Sequence, residues 1–305
     1  MSKNKTFVLN PGRMPAPHIF RDYSLFKGYI VGVALLMAIL GYYIFNSQPI
    51  VQSQIVLRVG VLFIYSIVWQ ILWSIIDKQS PFSWVRLWYY ALVYLFVIPL
   101  SISIWLFVLA FIYATVLSRI VFVSLAQNLL SIVLIAYLFV VLSVSDFTTL
   151  VWESVSSAQF LVDTWGDSIF MWLPGIFVII GIVLSYYRIM HWSIFVPSII
   201  MIALLSIWNP VIYQSLVKQP MIFFIIFVMS DHHQSPKYIY GKWIYGLLYS
   251  ITLIGYTIWL QPHWVLLLFA SGIVQLLFPL LINRLIDRWR LARVVHSYQT
   301  VKVEE

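Results

Sequence analysis

Apolar residues run along this chain in long blocks separated by short polar stretches. A helix needs about 20 consecutive apolar residues to cross a bilayer. Ten blocks approach or reach that length: 25–45, 56–76, 87–100, 103–118, 128–144, 170–187, 193–208, 211–229, 243–259 and 264–282. The third and fourth are short and meet around Pro99 to Ser101, which predicts a tight helical hairpin. The eighth is the weakest, its strongly apolar part reaching only from Met221 to Met229. Transmembrane strands would instead alternate apolar and polar positions over about ten residues. The pattern therefore predicts an all-α, polytopic integral membrane protein with about ten transmembrane helices.

Composition sharpens this class. Of 305 residues, 62% are hydrophobic and 9% are charged, with mean hydropathy +0.95. A soluble domain carries about 25% charged residues, and its folded surface must face water. Soluble enzymes, free nucleic-acid-binding modules and disordered chains are excluded. The lipid bilayer is the first partner, and nucleic acid is not one. The net charge of +8 then reports topology, because Lys and Arg gather at cytoplasmic helix ends. With the N-terminus inside, sixteen of the eighteen Lys and Arg residues fall in inside segments, leaving Arg58 and Lys218 outside. Ten spans with both termini cytoplasmic satisfy the rule, and dropping one would mix the charges.

The expected organisation is a cytoplasmic segment 1–24, a transmembrane domain 25–282 and a basic cytoplasmic tail 283–305. The first apolar stretch is too long for a signal peptide and lacks a small-residue cleavage site, so it reads as a retained span. One outer loop, 145–169, holds Asp146, Glu153, Asp163 and Asp167 and no basic residue. It reads either as a solvated loop or as a docking surface or cation-attracting mouth.

Ionisable groups inside a membrane mark functional sites by default, because each is costly there. Here no Asp or Glu lies inside any predicted span, which argues against a carboxylate proton relay. Arg58 falls near a predicted span end, from which it can snorkel to the interface. The uncharged polar residues in or beside spans are Gln70, Gln127, Asn128 and Gln275. No cysteine is present, which removes disulfides, thiolate metal sites and a cysteine nucleophile. None of the six histidines falls inside a predicted span, so axial haem ligation within the bundle is not expected. His232 and His233 follow Asp231, yet adjacent loop side chains seldom converge on a metal without further ligands. No phosphate-binding loop, nucleophile elbow or HExxH helix is present. Nothing marks a self-sufficient enzyme, no residue is assigned a catalytic role, and no metal ligands are assigned. The 14 Trp, 19 Tyr and 21 Phe residues suit interface belts and lipid-facing bulk, and they could equally stack on a flavin or quinone.

The stretch Met229-Ser-Asp-His-His-Gln-Ser-Pro236, followed by Tyr240-Gly-Lys-Trp-Ile-Tyr-Gly246, resembles a landmark of the NqrB/RnfD family. That family joins a membrane subunit of the sodium-pumping NADH:quinone reductase with its counterpart in the Rnf electron-transport complex. Its members have an Ala-Thr-Asp-Pro segment, a nearby Ser-Pro, and a Lys- and Gly-rich helix start ending in Tyr-Gly. Asp231, Ser235, Pro236 and Gly246 keep this pattern, while His232 replaces its proline. Other segments follow in the family's order. Ile98-Pro-Leu-Ser-Ile-Ser-Ile-Trp105 resembles its proline-then-tryptophan hairpin. Phe122-Val-Ser-Leu-Ala-Gln-Asn128 resembles its Gly-rich turn ending in Gln-Asn. Tyr187-Arg-Ile-Met-His-Trp-Ser-Ile-Phe-Val-Pro197 resembles its Arg-to-Trp-to-Pro loop, and Pro279 to Arg284 its Pro-Leu-Ile-Asp-Arg. The resemblance implies a membrane subunit of an ion-translocating electron-transport complex in a bacterial plasma membrane. It also implies partners among other membrane subunits or an extracytoplasmic FMN-binding protein.

Members of this family attach FMN through a phosphoester to a threonine in a Ser-Gly-Ala-Thr motif on an outer loop. The matching segment here is Val155-Ser-Ser-Ala-Gln159, in which Ser156 and Ala158 match, Ser157 replaces glycine and Gln159 stands at the threonine position. Glutamine has no hydroxyl to esterify, so the residues argue against covalent FMN and leave noncovalent flavin or quinone open. The cofactor-side residues the resemblance assigns are thus Ser156, Ser157, Gln159, Gln127, Asn128, Asp231, Ser235 and Pro236. The family's Gly-Glu-Thr-Ser helix start is replaced by Pro174-Gly-Ile-Phe-Val-Ile-Ile-Gly181, its Asp-Gly-Ser by Lys78-Gln-Ser-Pro81, and a Glu-Gly by His263-Trp264. Glycines that let backbone approach a cofactor have given way to bulky groups. A second reading follows, in which the chain is a membrane scaffold or transport-type protein that kept the fold and lost the redox chemistry.

Overall fold

The structure is a computed structural model. It describes residues 17–46, 49–76, 84–98, 102–120, 173–208, 225–230, 235–236, 238–259 and 277–292, with isolated positions at Ile135, Ala136, Phe139, Val140, Ser143 and Phe223. The described residues are mostly helical and include no strand. The helices are α1 (Pro17–Asn46), α2 (Pro49–Ile76), α3 (Trp84–Val97), α4 (Ile104–Ile120), α5 (Leu173–Tyr186), α6 (Trp192–Trp208), α7 (Ile239–Trp259) and α8 (277–292). A π-helical turn, Ile225–Met229, precedes α7. Among the described residues, Leu25–Phe45 and Pro49–Leu72 are each long and apolar enough to cross a membrane.

Enclosure explains the sequence of α3. Every side chain from Leu87 to Phe96 is buried, and α1 and α2 both pack on this helix. A helix that is apolar all round suits such a position. By contrast, α1 and α2 expose Ile30, Phe45, Ile50, Ile64 and Ile75, as lipid-facing helices do. The short α3 and α4 lie on either side of residues 98–103 and are joined by Tyr94 and Phe107. Ser103 caps α4, its carbonyl accepting the Phe107 N–H at 3.0 Å.

Arg58 departs from expectation. The hydrophobic pattern starts the second span at residue 56, but the helix begins at Pro49, two turns earlier. Pro49 suits a first helical position because its missing N–H would have had no partner there, and Gln52, Ser53 and Gln54 follow it in the opening turns. Arg58 therefore lies about 13 Å along the helix axis. It is 4% exposed and does not snorkel. Its guanidinium donates to the Ile102 carbonyl in the α3–α4 turn and lies 4.9 Å from the centre of the Phe107 ring. Tyr94 stacks on that ring at 4.8 Å and donates to the Phe107 carbonyl at 3.0 Å. The charge is thus held by carbonyl dipoles and aromatic faces.

Candidate functional site

The described parts of the 187–197, 229–246 and 279–284 landmarks meet at one end of the bundle. The first is the turn between α5 and α6. The Ile189 N–H bonds the Leu184 carbonyl at 3.1 Å and the Arg188 N–H bonds Ser185 at 3.0 Å. This paired pattern is a Schellman cap, and Arg188 occupies its left-handed position at φ 62°. Position 188 thus carries a side chain where glycine is usual. Tyr187 and Ile189 in turn lie against Gly28 of α1, where an added Cβ would sit 2.6 Å from Tyr187 Cβ.

The second element is the π turn. The Ser230 N–H closes it on the Ile225 carbonyl at 3.2 Å. The Ser230 hydroxyl lies 2.7 Å from the same carbonyl and 3.0 Å from that of Ile226. One serine thereby satisfies carbonyls that a helix end leaves open. The Ser230 carbonyl accepts the His191 N–H at 3.0 Å, which ties the π turn to the start of α6. Irregular helical turns of this kind are frequent at functional sites.

The third element is α7, whose backbone at Gly246 comes directly against α6. A Cβ at Gly246 would lie 2.5 Å from the Ile194 carbonyl oxygen and 3.0 Å from Pro197 Cγ. Pro197 gives α6 no N–H at that turn. The Ser198 hydroxyl occupies the crossing, 2.8 Å from the Ile194 carbonyl and 3.1 Å from that of Gly246. Small residues that let helices approach closely, joined by a hydroxyl, are how membrane helices pack. This crossing accounts physically for the Tyr-Gly and the Arg-to-Trp-to-Pro landmarks.

Polar groups border the same end. Lys242 Nζ lies 2.8 Å from His191 Nε2. An ammonium only donates, so the imidazole accepts at that nitrogen. Among the described residues no group of His, Asp and Glu could hold a metal ion, and an ammonium beside this imidazole repels a cation. Pro236 is buried against Gly241, and Ser235 is half-buried beside it. Gly241 also meets Ile282 and Ile286 of α8. Tyr238 donates to Asp287 Oδ1 at 2.6 Å, and Arg290 sits 4.1 Å over its ring. The hydrogen bond to the carboxylate holds the Tyr238 phenol above its ordinary range.

A model of the NQR2, RnfD, RnfE family matches residues 14–263. The chain belongs to this family. The family resemblance read from the sequence is thereby shown, with Pro279 to Arg284 lying beyond the match. No curated protein matches the chain. The NQR2, RnfD, RnfE family comprises membrane-integral subunits of multi-subunit electron-transport complexes. This chain is accordingly an all-helical membrane subunit of that type, with other membrane subunits as its class of partner.

Of the residues assigned to a cofactor from sequence, Ser235 and Pro236 fall in the described structure, at the start of α7. Ser156, Ser157, Gln159, Gln127, Asn128 and Asp231 lie outside the described residues. Sequence reasoning missed Ser198, Ser230, Lys242 and Tyr238. Lys242 was within a quoted landmark, but its partner stands fifty-one positions away, and one sequence carries no signal for such a pairing. Ser198 had a local signal, since it directly follows a proline inside an apolar helix, where a hydroxyl can serve the disturbed backbone.

Proposed function

We propose that the chain is a membrane-embedded redox-complex subunit that carries no covalent FMN and binds quinone or noncovalent flavin, or holds the subunit that does. The observation that carries this reading is Gln159, a residue without a hydroxyl at the position where the family forms its phosphoester. Retention of the packing landmarks supports it. The α6–α7 crossing, the capped 187–191 turn and the Ser230 turn bring the landmark segments into mutual contact.

A second reading, a scaffold that lost the chemistry, draws on one structural observation. The family's polar Gly-Glu-Thr-Ser helix start corresponds to the first turns of α5, where Phe177 now packs. Its ring meets Phe223 at 5.1 Å and Phe227 at 5.9 Å, and those two stack at 4.4 Å. Aromatic side chains thus fill ground that small and polar residues occupy in the family.

In topology, this reading has ten spans in a bacterial plasma membrane, both termini inside and the acidic loop 145–169 outside. The charge partition supports it. So does the meeting at one bundle end of Gly28, Tyr187, His191, Ser230 and Lys242, which all lie at ends the partition assigns to the inside.

The test is a flavin spectrum of the purified chain before and after acid precipitation, with quinone extraction in parallel. Flavin released by acid, or bound quinone, is the expected result. Flavin that stays with the precipitate would overturn the argument from Gln159. A folded sample with neither cofactor, and no redox subunit copurifying, would leave the scaffold reading standing.

A further inference from the structure

The helix α8 runs unbroken across residue 282, where the last apolar block ends and the arginine-rich sequence begins. One of its faces is engaged. Ile282 is buried, Ile282 and Ile286 cover Gly241, Asp287 accepts from Tyr238, and Arg290 lies over the Tyr238 ring. These contacts fix the rotation of the helix about its axis, and with it the identity of the outward face. At 3.6 residues per turn, Leu277, Leu281, Arg284, Leu285 and Arg288 fall together on that outward face. Leu277, Leu281 and Leu285 are 46%, 52% and 65% exposed, and both arginines are exposed.

The outward face therefore changes character along one line. Leucines continue the lipid-facing surface, and Arg284 begins about 4.5 Å beyond Leu281, with Arg288 about 6 Å further. Trp289 is also exposed at this level, as indoles are at membrane interfaces. The single acidic residue of the helix is turned to the Tyr238 hydroxyl. A planar guanidinium presents paired donors that match a phosphate. Two of them one turn apart, directly below an acyl-compatible leucine face, fit a molecule with an anionic phosphodiester on an apolar tail.

We propose that Arg284 and Arg288 form a headgroup site for an anionic phospholipid, whose acyl chains lie along Leu277, Leu281 and Leu285. The site holds one lipid against α8 at the membrane surface and so anchors α8, through the Tyr238–Asp287 contact, to the base of α7. It requires the chain to be membrane-embedded and is independent of any cofactor.

The chain has no cysteine, so Leu280→Cys, at the edge of the outward face, gives a single labelling position. The full-length labelled protein in nanodiscs is titrated with phosphatidylglycerol or phosphatidylcholine carrying a nitroxide on the acyl chain, and label quenching is read. Phosphatidylglycerol should quench at a several-fold lower mole fraction than phosphatidylcholine. Each basic residue at an anionic surface contributes about fivefold in affinity, so R284Q/R288Q should abolish the preference. R284K/R288K should keep part of it. On the unmodified site, 1 M salt should collapse the preference, which tests the idea even if the glutamine variant fails to fold. Glycerol phosphate in solution should not compete. Equal quenching by the two lipids would overturn the proposal. Quenching by neither lipid would also overturn it, and would assign this face to a protein partner.

Discussion

Two of the joints between the described helices work by opposite means. The α6–α7 crossing depends on an absence: Gly246 has no Cβ, so the Ile194 carbonyl and Pro197 come directly against the α7 backbone. The α2–α4 joint depends on a presence: the Arg58 guanidinium reaches the Ile102 carbonyl in the α3–α4 turn and rests on the Phe107 ring. Both joints touch family landmarks, Gly246 and the 187–197 loop at the first and Ile102 of the 98–105 segment at the second, but only the first is made by backbone approach. A close backbone crossing tolerates almost no side chain, so its residues must persist while cofactor motifs drift. A long cation bridging to a turn can be replaced by other chemistry. The contrast explains how the chain can belong to the family while its FMN-attachment segment reads Ser156-Ser-Ala-Gln159.

One helix and one type of substitution separate the close crossing from ordinary helix packing. A Cβ at Gly246 must displace backbone, whereas Gly255 has open space beside it on the same helix. Gly246→Ala should destabilise by about 2 kcal/mol, within the range for overpacked sites. Gly255→Ala should be neutral or stabilise by up to about 1 kcal/mol through helix propensity. Thermal unfolding in detergent reads both. If the two variants shift the midpoint in the same direction, the close crossing is not what holds α6 to α7.

A comparable effect is expected at the other joint. Arg58→Met removes the donor and leaves the Ile102 carbonyl in an apolar environment, a loss of about 1–3 kcal/mol. Arg58→Lys should recover part of that loss by keeping a donor and a charge. Buried charges can also be replaced by apolar residues without loss. A methionine variant as stable as the parent would therefore show that α2–α4 packing does not need the guanidinium, and that its charge serves another purpose.

The sequence revealed helices and packing landmarks far better than it revealed polar partners. The separation of α3 from α4 was legible because Pro99 to Ser101 interrupts two apolar blocks, and α3 because ten consecutive residues suit enclosure. Arg58 was misplaced because the polar residues Gln52, Ser53 and Gln54 open α2, and a hydropathy pattern counts them as loop. The π turn was legible only as a weak span, since backbone hydrogen-bond slippage leaves no mark in composition. His191 and Lys242 could not be paired, because their separation in the chain is bridged by the fold. Asp231, Gln127, Asn128 and the 156–159 segment lie outside the described residues, so the cofactor side of the reading stays with the family pattern.

The smallest predicted effect sharpens what a landmark is. Arg188 sits at φ 62°, a conformation that costs an L-residue with a Cβ about 1–2 kcal/mol and glycine almost nothing. If the 187–191 turn were selected for stability alone, glycine would serve better at this position. Arg188→Gly should therefore raise stability by up to about 1 kcal/mol, after the greater unfolded-state freedom of glycine is offset. Its cap bonds to Leu184 and Ser185 are made by backbone and should survive. A rise in unfolding temperature would mean that the exposed Arg188 side chain is kept at a cost, for topology or for a partner. A fall would mean that its guanidinium makes contacts that outweigh the strain, and the turn would then belong with Arg58 among the joints made by a cation.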